Sequence, residues 1–171
     1  MVKFRLLERP GFEVVGKKAW IGGQDNELFG RFWRECQANG LLATFWQLRG
    51  DRPGPQTGAL TLGISRVEQD PNKREFFYML AVEKQADYPA SLLEGMETYT
   101  VPATRWAVFE CRGKVPESIV KAEMFAFMEW LPTSGYEHAL APEMEVYPNL
   151  GDRYCEFWLP IRARQPERTA T

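Results

Sequence analysis

The sequence predicts an α+β fold in which duplicated β-α-β-β halves form an antiparallel sheet, with helices packed on one side and a ligand cleft at the pseudo-twofold. Three observations lead there. Runs rich in β-branched and aromatic residues recur along the chain; two segments carry apolar residues at three- and four-residue spacing; and the order strand, helix, strand, strand occurs on both sides of a break around Gly95 and Pro102. At 171 residues the chain has the length of one domain, read as a single unit over 1–171 with pseudo-repeats at about 1–95 and 96–163 and a polar tail at 164–171.

After the Pro10-Gly11 break, Phe12 to Trp20 is β-branched and apolar and reads as a strand. Asp25 or Asn26 can cap the helix that follows. From Glu27 to Asn39 the positions Leu28, Phe29, Phe32, Trp33 and Cys36 trace one helical face, and Gly40 supplies the stop. A loop rich in Gly and Pro, Arg49 to Gly58, leads to a strand at Ala59 to Ile64 and another at Arg74 to Glu83. The second half opens with a strand at Trp106 to Glu110. A helix from Pro116 to about Leu131 carries Ile119, Val120, Met124, Phe127, Met128 and Leu131 on one side, and Pro132 with Gly135 ends it. Strands at Met144 to Tyr147 and Tyr154 to Ile161 complete the order.

Composition is that of a globular protein: 44% hydrophobic, 26% charged and an unusual 13% aromatic, enough for either a dense core or a stacking pocket. The formal charge is -2 and the basic residues are scattered, so no footprint for a phosphate backbone is present and no direct nucleic-acid partner is expected. No apolar leader opens the chain and no window approaches the roughly 18 apolar residues of a span, so no membrane partner is expected and the chain reads as cytoplasmic. Cys36, Cys111 and Cys155 lack any paired spacing and read as buried thiols.

The segment Tyr154 to Ile161 carries the most chemistry. Alternation puts Tyr154, Glu156 and Trp158 on one face and Cys155, Phe157 and Leu159 on the other. The second set is the core face that helices would cover; the first is a carboxylate between two aromatics. Taken alone, a Glu on an antiparallel strand is most often a solvated residue of the polar face. In a dry cleft it would instead be a partner for a cation, aided by the rings. Glu145 and Tyr147 form a second acidic-aromatic set on the preceding strand. Trp106 reads first as core.

Catalytic constellations are missing. His138 is the one histidine, without a partner at metal-ligand spacing, and neither a phosphate loop nor a nucleophile elbow occurs. No metal and no cofactor is expected. What remains for catalysis is a carboxylate with a tyrosine, Glu156 with Tyr147 or Tyr154, which could deprotonate a water.

Taken together, several segments resemble the GyrI-like small-molecule-binding family, also found as the effector-binding domain of AraC-type and MerR-type multidrug-responsive regulators. They are Phe12 to Lys17, Leu28 to Trp33, Phe77 to Val82, Val101-Pro102-Ala103 with Trp106 to Phe109, Glu129 to Tyr136, Glu145-Val146-Tyr147, and Glu156 to Ile161. The resemblance implies a duplicated fold with a cleft for hydrophobic, often cationic aromatic compounds. By position Glu156 looks like the pocket carboxylate, Tyr147 like the aromatic on the neighbouring strand, and Trp33 and Tyr78 like further wall positions. The regulators also carry a helix-turn-helix module for which no residues remain here, so a stand-alone binder is expected.

The expected ligand set is therefore Glu156, Tyr154, Trp158, Tyr147, Glu145, Trp33, Tyr78 and Trp106, with an amphipathic cationic small molecule as partner and room for a homodimer. Two alternatives accompany it: a hydrolase of cyclopropane-bearing genotoxic compounds, as some relatives resemble, using Glu156 and Tyr147; or an interaction protein that modulates DNA topoisomerase.

Overall fold

A computed structural model describes residues 2–22, 27–148 and 153–165. The helix cap expected at Asp25 or Asn26 and most of the tail lie outside the described residues.

The chain runs β1 (Phe4–Arg9), β2 (Phe12–Ile21), α1 (Glu27–Ala38), α2 (Leu41–Arg49), β3 (Thr61–Arg66), β4 (Phe76–Glu83), β5 (Glu97–Val101) and β6 (Thr104–Arg112). It continues through α3 (Glu117–Met124), a π-helical stretch over Phe125–Trp130, α4 (Leu131–Thr133), β7 (Tyr136–His138), β8 (Glu143–Tyr147) and β9 (Tyr154–Ala163). The strands form one sheet in the order β1-β6-β9-β8-β3-β4-β2-β5, with β7 added on β9. Every pairing is antiparallel. The α+β architecture expected from the sequence is present.

Local reasons for the elements are plain. Gly40, at φ 86°, turns the chain between α1 and α2, a conformation that costs a residue with Cβ much more. Helix α2 is absent from the sequence-based order: Leu41, Phe45 and Leu48 are buried at helical spacing, but Leu42 and the exposed Trp46 blur the boundary of that face. Strands β1, β5 and β7 also escaped, being short and mostly polar or half-exposed. On α3 the expected apolar side is corrected. Ile119 and Ala122, with Ala126 in the π-helical stretch that follows, face the sheet, while Val120, Met124 and Met128 are exposed, because small alanines let the helix sit close to the strands.

Both faces of the sheet are apolar, for different reasons. On one face, α1 and α2 cover Val15, Tyr78, Leu80 and Val82, and α3 covers Ala107, Phe109, Cys155, Phe157 and Leu159. On the other, no helix contributes among the described residues. A cluster there runs from Trp106 on β6 through Trp158, Val146, Leu62 and Met79 to Phe12 on β2 and Val101 on β5. Two ends of the sheet meet in that one cluster, so the strands themselves close over it. Burial of this kind contributes roughly 25 cal/mol per Å² of apolar surface, which is why a second apolar layer without helices is stable.

Candidate functional site

Between the helices, the covered face of the sheet exposes a polar floor. Strand β8 lies between β3 and β9, and alternation sends Glu143, Glu145 and Tyr147 to the helix side. Tyr78 reaches the same floor from β4 and Trp33 from α1.

Glu145 is largely buried. Tyr78 and Tyr147 both donate their hydroxyls to its Oε1, at 2.8 and 2.7 Å. Its Oε2 has no hydrogen bond among the described residues, and no Lys, Arg or His there forms an ion pair with it. Trp33 covers the group: its indole N–H donates to the Tyr78 oxygen at 3.0 Å, and its ring meets Tyr147 edge-on with centroids 5.2 Å apart. Phe29 packs edge-on against Tyr78 at 4.8 Å. Gly63 makes the arrangement possible. A methyl there would overlap the Tyr78 hydroxyl and sit 2.8 Å from Glu145 Oε1, so a strand glycine marks where two side chains lean across the backbone.

The neighbouring charges are unequal in kind. Glu143 is held by both Arg74 nitrogens at 3.0 Å and by His138 Nε2 at 2.9 Å. Burial pushes its carboxyl up, but His138 and Arg74 more than offset that and leave it below the ordinary range. Glu145 stands above that range, raised by burial, lowered by the two tyrosine hydrogen bonds and raised again by Glu143. Glu123, on α3, is pushed up to about 8 by burial and by the charges of Glu145 and Glu143, with Arg74 opposing. Burial and Glu145 also lift Tyr78 and Tyr147 well above the ordinary phenol value, so both remain neutral donors. Chemically the floor offers one free carboxylate oxygen, two fixed hydroxyls and aromatic edges. Among the described residues no three His, Cys, Asp or Glu side chains are grouped to hold a metal ion.

Of the residues expected from the sequence, Glu145, Tyr147, Tyr78 and Trp33 meet here. The other four do not. Glu156 pairs across the ladder with Val146, and directly opposed residues share a face, so its side chain leaves on the far side from Glu145 and Tyr147. There it accepts from Tyr154 at 2.8 Å and Trp158 at 3.1 Å and forms an ion pair with Arg5 at 3.1 Å. Trp106 is fully buried on that side, edge-on to Trp158 at 5.6 Å. Glu156 is thus paired with Arg5 rather than left for a ligand in a dry aromatic cleft, and of its two expected tyrosine partners it meets Tyr154 while Tyr147 lies across the sheet. Gly63, Glu123 and the Arg74-Glu143-His138 group were not anticipated. Gly63 in the middle of an apolar strand was the one local signal; the rest depends on register.

The fold and this floor define a small-molecule-binding domain. Residues 3–162 match the GyrI-like small molecule binding domain, and the chain belongs to that family. It is 29% identical over 143 residues to the transcriptional regulator BrlR of Pseudomonas aeruginosa, covering 84% of this chain and 47% of that protein, so it spans about half the relative's length. The fold is shared with SAV2435, solved bound to tetraphenylphosphonium, at TM-score 0.75 and 22% identity over 94% of both chains. A hydrolase from Listeria innocua has the same fold at TM-score 0.51 and 15% identity, covering 94% of this chain and 92% of its own.

Proposed function

We propose that this domain binds hydrophobic, cationic aromatic small molecules at Glu145, in the cytoplasm, as a sensor or sequestering protein. The observation that carries the reading is the contrast among three buried carboxylates. Glu143 and Glu156 each hold a protein cation, whereas among the described residues Glu145 receives only two neutral hydroxyls and keeps one oxygen free. A carboxylate sunk among rings gains most from a cation that brings its own apolar surface, because each is costly to desolvate without the other. Trp33, Tyr147 and Phe29 supply edges and faces for such a ligand, and Val120, Met124 and Met128 lay an exposed apolar stripe along α3, which carries Glu123, and the π-helical stretch after it. SAV2435 binds a cation of this kind.

Calorimetric titration of the protein with tetraphenylphosphonium tests it. Neutralising a desolvated ion-pair partner costs about tenfold or more in affinity, so Glu145→Gln should weaken binding by at least that much. Equal affinity of the variant and the unaltered protein would refute the reading.

A second reading rests on the same residues. Glu145 Oε2, with Tyr147 fixed beside it, could take a proton from water attacking a strained electrophile such as a cyclopropane. Turnover of such a compound, abolished by Tyr147→Phe and by Glu145→Gln, would establish hydrolysis in place of simple binding.

A further inference from the structure

Away from the Glu145 floor, a cavity of about 210 Å³ opens beneath the 49–58 loop, between the C-terminal end of α2, the end of β4 and Tyr88. We propose that this cavity is a second binding site, which takes a small organic carboxylate with a flat apolar body. Its position makes it separate from the first. Val82 in its lining lies four residues beyond Tyr78 on β4, roughly 13 Å along the strand, and fully buried Leu80 fills the space between.

Two of the three charged groups that line the cavity are engaged within the protein. Glu83 accepts from the Gln56 N–H at 2.9 Å, the Thr57 N–H at 3.0 Å and the Thr57 hydroxyl at 2.7 Å, so its carboxylate is engaged in holding the loop. Arg52 and Asp87 pair with each other at 2.9 Å. Arg49 has no such counter-ion. Its Nε donates to the Leu60 carbonyl and its Nη1 to the Gly50 carbonyl at 2.7 Å, while Nη2 has no hydrogen bond and no carboxylate forms an ion pair with the guanidinium among the described residues. Burial pushes the pKa of this guanidinium down, against the weaker pull of Tyr88 and Asp51, so an anion brought beside it would favour the charged form.

The remaining lining sets the shape of the ligand. Ala59 and Val82 are buried apolar floor, Pro53 and Pro55 form one wall and the half-buried Tyr88 ring another, with Gln85 at the edge. The Tyr88 hydroxyl has no hydrogen bond among the described residues, so it is free to donate beside Arg49. A carboxylate would meet the Arg49 guanidinium and the Tyr88 hydroxyl, and a flat ring would lie over Ala59 and Val82 between the prolines and Tyr88. An inorganic anion would leave that apolar part unfilled.

Benzoate is the probe. Titration of the intact protein, followed by calorimetry and by saturation transfer to the benzoate protons, should show saturable binding that Arg49→Met weakens by about tenfold or more, as for a charged hydrogen-bond partner. Because Arg49 also holds Leu60 and Gly50, Tyr88→Phe serves as the second variant. It leaves those contacts in place and should weaken benzoate by about tenfold, the loss of one hydrogen bond to a charged acceptor. Glu145→Gln should leave benzoate affinity unchanged, and tetraphenylphosphonium should not compete. The proposal is overturned if the folded protein binds no benzoate, if phosphate or acetate binds as tightly as benzoate, if Tyr88→Phe has no effect, or if tetraphenylphosphonium displaces it. A failure of tetraphenylphosphonium to bind at all bears on the Glu145 floor alone.

Discussion

Glu145 and Glu156 stand on neighbouring strands yet face opposite sides of the sheet, because Glu156 is paired with Val146, the residue next to Glu145. One residue of register separates a carboxylate that holds Arg5 from one that holds no cation. The two carboxylates should therefore respond differently to the same substitution.

Glu156→Gln should leave tetraphenylphosphonium affinity within about twofold of the original, while lowering the melting temperature, since Arg5, Tyr154 and Trp158 lose a charged acceptor. Thermal unfolding and calorimetry on the same preparation separate the two effects. A large loss of cation affinity in this variant would return the site to the other face.

Gly63→Ala should be destabilising by about 1–3 kcal/mol, the usual cost of forcing a methyl into a packed interior. The added carbon would overlap the Tyr78 hydroxyl, so the Tyr78–Glu145 hydrogen bond should break as well. Chemical denaturation measures the first effect and cation titration the second; a neutral outcome in both would contradict the packing described.

Two carboxyls raised above their ordinary value give a pH dependence of definite sign. Glu123, at about 8 when folded against 4.5 as a free side chain, binds its proton more tightly in the folded state. Stability should accordingly fall as pH rises from about 4.5 through about 8, and Glu123→Gln should flatten that slope. Cation binding favours the ionised forms of Glu123 and Glu145, so affinity should increase over the same range with release of protons. Calorimetry in buffers of different ionisation enthalpy reads that release, and proton uptake would contradict it.

Trp33→Leu keeps apolar bulk over the floor but removes both the hydrogen bond to Tyr78 and the ring against Tyr147. Loss of a cation–π partner worth about 1–2 kcal/mol in a desolvated site should lower tetraphenylphosphonium affinity roughly five- to thirtyfold. Difference fluorescence against this variant should show that ligand perturbs Trp33.

Cys36, Cys111 and Cys155 are buried and free, and burial pushes the Cys36 thiol up to about 11. For Cys111 its side-chain hydrogen bond to Cys155, with Cys111 as donor, and burial act in the same direction. A thiol reagent should therefore react with the native protein only at the rate of unfolding, and prompt labelling would show an opening that the packed strands do not have.

Much of this was settled by the sequence alone. The apolar spacing of Leu28 to Cys36 made α1 a helix, Gly40 ended it, and alternation along β9 separated Cys155, Phe157 and Leu159 from Glu156 and Trp158. Local rules suffice where the pattern of one segment determines its own shape and its two faces. They fail for α2, whose buried face is blurred by apolar neighbours such as Trp46, and for β1 and β5, whose pairing partners lie far along the chain. The choice of carboxylate was of the second kind. Glu145, Tyr147, Tyr78 and Trp33 come from three elements, and only the register of β3, β4 and β8 brings them to one face, while that of β1, β6 and β9 places Arg5 against Glu156. Which charge finds a partner within the protein, and which is left for a ligand, is a property of tertiary contacts, because Coulomb attraction and desolvation act through space and take no account of distance along the chain.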